Sequence, residues 1–143
     1  MTIDDDRIKN VFKSYQIIAA VGMSRSMKKS SNWIPVYLST KNYEIIPVNP
    51  NASHIKQWKS YPDLKSIPGK IDILLIFLPS SVAVDIVKNA IERKRNKGDI
   101  QVIWLQEGSE ERARELAEQE GITFIQGRDI YREYKRLMVN PGD

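Results

Sequence analysis

The chain has no cysteine and a single histidine, His54. The first absence excludes disulfides, thiol catalysis and thiolate metal sites, and it fits a reducing compartment. The lone histidine cannot build a metal site by itself, and a distal His54 with no cysteine is not expected to assemble a Ser-His-acid or a Cys-His set. No run of about 18 apolar residues is present, so no membrane-crossing helix is expected. The segment Met1 to Arg7 is acidic, unlike the basic stretch and hydrophobic core of an export signal. These absences predict a cytoplasmic protein, neither exported nor membrane-bound. With 143 residues, 41% of them hydrophobic, the chain can fill one core. A single domain over 1–143 is therefore expected, with a helix over 1–15 packed on it.

Charge is present in both signs. The formal excess of +4 could attract an anionic partner. Along most of the chain, however, the signs alternate, as in Glu92-Arg93-Lys94-Arg95 and Glu110-Glu111-Arg112-Ala113-Arg114-Glu115. Solvated helix faces have this pattern, and nucleic acid is disfavoured as the primary ligand.

Hydrophobic spacing predicts alternating helices and strands. Ile8, Val11, Phe12 and Tyr15 follow Asp4, Asp5 and Asp6 at helical intervals, with the carboxylates suited to a helix amino terminus. Ile17 to Val21 is a continuous apolar run ending at Gly22, as in a strand buried on both faces. Asn32 is the expected cap of a helix carrying Pro35 in its first turn and ending near Asn42. Glu44 to Pro50 reads as a strand weakened by Pro47. His54 to Tyr61 contains a short extended piece, and Ser60 to Leu64 the start of a single helical turn. Ile71 to Leu78 is the most hydrophobic strand, and Ser80 or Ser81 caps a helix with Val82, Ile86, Val87, Ala90 and Ile91 inward. Val102 to Leu105 is a strand, Ser109 caps a helix ending before Gly121, Ile122 to Ile125 is the last strand, and a charged helix with Ile130, Tyr134 and Leu137 follows. The alternation predicts an α/β class: a Rossmann-like, doubly wound, mainly parallel sheet of about five strands with helices on both faces.

In such a sheet the ligand sits beyond the carboxyl ends of the strands, where strand order reverses. Gly22-Met23-Ser24-Arg25-Ser26 joins a strand to a helix, so free N–H groups at the helix start can meet phosphate oxygens. Lys28, Lys29, Ser30 and Ser31 add charge and donors. The loop suits an anion, although one glycine is a weak fingerprint and a mobile basic loop is the alternative. At the end of the second strand stands Asn49-Pro50, where dinucleotide-binding domains place the acid that receives a ribose diol. This disfavours nicotinamide and flavin cofactors; Asn49 can equally be a turn residue before Pro50. Leu78 and Pro79 offer apolar walls to the crevice, and Gln106 an amide that donates and accepts. Pro79 taken alone reads as a strand stop. Trp104 lies within a strand and is expected in the core.

Taken in order, IIAAVGMS at 17–24, YEIIPVNPN at 43–51, SYPDLKSIPGKIDILLIFLPS at 60–80, VIWLQEG at 102–108 and GRDIYREYKRL at 127–137 form a set of signatures. The chain resembles the small stand-alone coenzyme A-binding proteins, whose domain is similar to the coenzyme A-binding domain of the succinyl-CoA synthetase alpha subunit. The resemblance implies that the loop from Ser24 to Lys29 contacts the nucleotide phosphates. It also implies that Asn49 and Pro50 border the adenosine, and that Leu78, Pro79 and Gln106 line the path of the remaining cofactor. Members of the family often carry cysteine after the arginine of the last motif; Asp129 stands there in this chain, so no thiol role is expected. The synthetases use a phosphorylated histidine on a further domain, which this chain lacks. The expected function is non-catalytic binding of coenzyme A or an acyl-CoA, with a homodimer or an enzyme partner open. The alternatives are a subunit of an acyl-CoA ligase and an NAD-type redox sensor.

Overall fold

The computed structural model describes residues 3–140. Expectations that touch residues 1–2 and 141–143, the outer ends of the acidic segment and of the single domain, lie outside the described residues. Five parallel strands form the central sheet: β1 (Ile17–Val21), β2 (Glu44–Val48), β5 (Ile73–Ile76), β6 (Val102–Leu105) and β7 (Thr123–Ile125). Their spatial order is β2-β1-β5-β6-β7, and β3 (His54–Ile55) and β4 (Trp58–Lys59) form a separate antiparallel hairpin. Every residue of β5 and β6 is buried, which accounts for their unbroken apolar sequences.

Helices cover both faces. Ile8, Val11 and Phe12 of α1 (Asp5–Ser14), Ile34 and Leu38 of α2 (Ser30–Ser39) and Ile130 of α5 (Ile130–Met138) pack with Ile18, Ala20, Ile73 and Leu75. On the other face, Val87 and Ala90 of α3 (Ala83–Lys97) and Ala113 and Ala117 of α4 (Glu111–Gln119) pack with Ala19, Val21, Leu74 and Ile76. The alternation of partners along β1 and β5 is the period-two geometry of a strand.

Several boundaries differ from expectation. Pro47 lies in an edge strand, and its carbonyl accepts from Tyr61 N–H at 3.0 Å on the side away from β1. The missing donor therefore costs the sheet no ladder bond. Asn32 does not cap α2: the helix begins at Ser30, so Pro35 lies in its body. Ser60 to Leu64 lead into one hydrogen-bonded turn, Ile67 N–H to Leu64 O at 3.3 Å, and not into a helix, while Tyr61 is drawn into a parallel bridge with Val48. Ser80 belongs to a 3₁₀ turn (Ser80–Val82) that leaves Val82 37% exposed rather than buried, and α4 is capped by the Glu110 carboxylate instead of Ser109. The strand expected over 71–78 shortens to β5, and at its start Asp72 turns its carboxylate to the N–H groups of Gln16 and Ile17.

Candidate functional site

The chain leaves β1 for β2 in one direction and reaches β5 on the other side, so the order reverses at β1. A cleft of about 500 Å³ opens there, at the carboxyl ends of β1 and β2. Gly22, Asn49, Pro50 and Leu78 line it together, as the sequence placed them. Gly22 has a φ of +83°, which favours glycine, and a Cβ at this position would stand 2.8 Å from Leu78 Cδ2 and displace that side chain. Leu64 and Ile86 add apolar wall, and Asn89 and Asp63 add polar groups. These four have no counterpart among the sequence candidates. The Val48–Tyr61 bridge brings residues 62–64 in, and a strand ending at Tyr61 was the only available signal.

Buried Arg93 fixes that wall. Its guanidinium donates to the carbonyls of Leu64 (2.6 Å), Ile67 (2.9 Å) and Gly69 (2.6 Å), while Asp99 balances its charge at 2.9 Å. Asp63 turns one carboxylate oxygen to the Ser66 hydroxyl (2.7 Å) and N–H (2.9 Å). The hydroxyl first, and then the N–H, hold this carboxyl below its ordinary value, so it is ionised at neutral pH.

The first loop is clamped at Ser24. Its N–H donates to Ser31 O at 3.3 Å and its carbonyl accepts from Asn32 Nδ2 at 2.7 Å, while its hydroxyl accepts from Ser26 N–H at 3.0 Å. Pro35 makes the first bond possible, because a proline cannot donate to the carbonyl four residues before it. Asn32 Oδ1 is left buried without a protein partner. Helix α2 opens with no side-chain cap and no acid in its first turn. The N–H groups of Ser30 and Ser31 thus point out of the helix start unsatisfied. Arg25, Ser26, Lys28 and Lys29 are exposed around it, with Ser31 half-buried.

The remaining candidates are placed differently. Asn49 spends its amide on the fold, donating to Met23 O at 3.0 Å and accepting from Asn51 N–H at 2.8 Å. It is a turn residue that also ties β2 to the first loop. Pro79 is exposed at the start of the 3₁₀ turn and stands beside the cleft instead of lining it. Gln106 is buried and its Oε1 accepts from Ile130 N–H at 2.9 Å, so it fixes the start of α5. Trp104 is fully buried, with its Nε1 donating to Arg128 O at 2.8 Å, as a core residue should be. A second groove, of about 600 Å³, runs along β7 beside Arg114 and Arg128. Two of its three arginines are matched by carboxylates, Arg114 by Glu111 and Glu118, and Arg128 by Glu133 and Asp5, while the third, Arg7, donates to the Thr123 hydroxyl at 3.3 Å.

Comparison with known proteins bears on the same residues. The family described as CoA binding domain matches residues 16–135. The uncharacterized protein YneT of Bacillus subtilis is 31% identical over 119 residues, covering 82% of this chain and 84% of that protein. An ADP-forming acetate–CoA ligase II of Archaeoglobus fulgidus is 31% identical over 117 residues, 76% of this chain but 17% of the ligase. Among solved structures, Prb, the PH1109 protein redesigned for binding, has a TM-score of 0.90 at 30% identity, covering 99% of this chain and 96% of its own.

Proposed function

Because the chain belongs to the CoA binding domain family, we propose that it holds coenzyme A or an acyl-CoA in the strand-end cleft and does no chemistry on it. The supporting observation is the join between the cleft and the clamped loop. At that join lie uncapped helix N–H groups and cations with no carboxylate partner, which suit a phosphate chain. Ser24, Arg25, Ser26, Lys28, Lys29 and Ser31 receive the phosphates, Gly22 lets the chain pass close to the backbone, and Asn49 and Pro50 border the adenosine. Leu78 and Pro79 flank the remaining arm, and Gln106 offers its Nε2 donors beyond them. The cleft holds one carboxylate, Asp63, and the lone His54 lies on the exposed side of the β3–β4 hairpin. That set suits retention of a ligand better than proton or acyl transfer. No described helix is long and apolar enough to cross a membrane; with the cysteine-free composition, this favours a cytoplasmic site of action.

A second reading has the chain supply a coenzyme A site to separately encoded ligase parts. The match to one segment of an acetate–CoA ligase favours it. Acyl-CoA formation by a mixture with such a partner, and by neither component alone, would identify this role.

Calorimetric titration of coenzyme A, acetyl-CoA, NAD and ATP tests the first reading. Saturable binding of both CoA species, none of NAD, and weaker binding by a Ser24→Ala, Lys28→Ala double variant is the expected outcome. A folded sample that binds neither CoA species refutes it.

A further inference from the structure

Positive charge is unevenly distributed in this molecule. Residues 7–62 carry nine lysines and arginines against one acid, Glu44. Every ion pair among the described residues takes its cation from Lys65 or later. Five of these nine cations stand on two arms at one end of the sheet. One is the first loop, with Arg25, Lys28 and Lys29; the other is the β3–β4 hairpin, with exposed Lys56 and Lys59.

The hairpin is built to hold these lysines where they stand. Ile55 and Trp58 pair across it, with Ile55 buried and Trp58 packed on the same core cluster as Met23 and Ile34. His54 and Lys59 pair on the opposite face, exposed. Lys59 Nζ sits 5.2 Å from the centre of the Tyr61 ring, and Tyr61 packs on the core cluster that floors the cleft. Lys56 occupies the turn at φ +52°, an uncommon conformation for a side-chain-bearing residue. Its Nζ reaches Met27 Sδ at 3.5 Å, a weak contact that leaves the ammonium free for a better acceptor. The two arms therefore meet at Lys56 and Met27, the second of which is 69% exposed.

Coenzyme A carries two separate phosphate groups, a pyrophosphate on the 5′ side of its ribose and a monoester on the 3′ side. We propose that the hairpin, through Lys56 and Lys59, reads the 3′-phosphate, while the first loop takes the pyrophosphate. This assignment rests on the reading above, which sets the adenosine against Asn49 and Pro50. The hairpin begins four residues beyond Pro50, so Lys56 is the cation nearest in the chain to that end of the ligand, with Lys59 on the paired strand. Lysine supplies a compact charge with rotatable donors, which suits a terminal phosphate monoester approached from solvent. The hairpin is then the element that separates coenzyme A from adenine nucleotides lacking the 3′-phosphate.

Titration of coenzyme A and 3′-dephospho-CoA against three proteins tests this. They are the natural chain, a Lys56→Gln, Lys59→Gln variant, and a Lys88→Gln, Lys135→Gln control that removes the same charge from exposed positions elsewhere. The natural chain and the control should prefer coenzyme A by about 10- to 100-fold, the range of charge-assisted hydrogen bonds. The hairpin variant should lose that preference while keeping its affinity for dephospho-CoA. If the hairpin variant retains the preference, or the control loses it equally, the hairpin assignment fails and the binding reading stands. Equal affinity of the natural chain for both ligands overturns the assignment in the same way. If the folded natural chain binds neither, the binding reading itself fails, and the assignment with it.

Discussion

At position 35, proline removes the N–H that would bond the carbonyl of Ser31, and that carbonyl accepts from Ser24 N–H at 3.3 Å instead. A residue unfavourable inside a helix thereby orders the loop proposed to receive phosphate. Pro35→Ala restores a helix donor, and exchanging proline for alanine in a helix interior is favourable by up to about 3 kcal/mol. Some of that gain is offset by the loss of a buried ring. The variant should melt at or above the temperature of the natural chain yet bind coenzyme A about fivefold more weakly, corresponding to about 1 kcal/mol of lost loop order. Thermal unfolding and calorimetry on one preparation would check both halves. Unchanged affinity would show that the Ser24–Ser31 bond has no part in binding. Asn32 acts beside it, and its role was not legible in the sequence. As a residue type it reads as a cap, whereas the fold buries it and turns its amide to Ser24 O.

Among the elements, those buried on both faces were the most legible. Ile17–Val21 and Val102–Leu105 were bounded correctly because burial on both faces demands an unbroken apolar run. The β3–β4 hairpin was visible only as an extended piece, since its turn uses Lys56 at positive φ where a glycine or asparagine would have signalled it. Leu64, Ile86 and Asn89 escaped notice because they reach the cleft through the Val48–Tyr61 bridge and the crossover into α3, which local periodicity does not encode. Helix α1 is fastened to α5 by Asp5 and Arg136, whose two bonds measure 2.9 and 2.8 Å. The hydrogen bond from Arg136 is the largest cause holding the Asp5 carboxyl below its ordinary value of 3.8. A carboxyl lowered by folding contributes stability above its unfolded value and loses that contribution as pH falls through the folded one. Asp5→Asn should therefore melt below the natural chain near pH 7, and the two should converge near pH 2. A gap that persists in acid would assign the effect to packing instead of charge. Because the pair is exposed, the gap should be a few degrees at most, and smaller in salt.

Across the whole molecule, strand order, clamped loop and unmatched charge converge on one end of the sheet. The fold class followed from the alternation of helices and strands, and the identity of Gly22, Asn49, Pro50 and Leu78 as neighbours from the strand-end rule. Gln106 shows the limit of that rule: it stands at a strand end, but the Ile130 N–H claims its amide oxygen. The β7 groove, although larger, has two of its three arginines neutralised and carries Glu111 and Glu118 in its wall, so it is expected to compete weakly for an anion. The most direct test is to follow backbone amide resonances of the isotope-labelled chain as coenzyme A is added. The account predicts that the perturbed amides cluster at Gly22 to Asn32, Asn49 to Asn51 and Leu78 to Ser81, with the β7 groove silent. Shifts centred on Arg114, Thr123 and Arg128, or no shifts at saturating ligand, would contradict it.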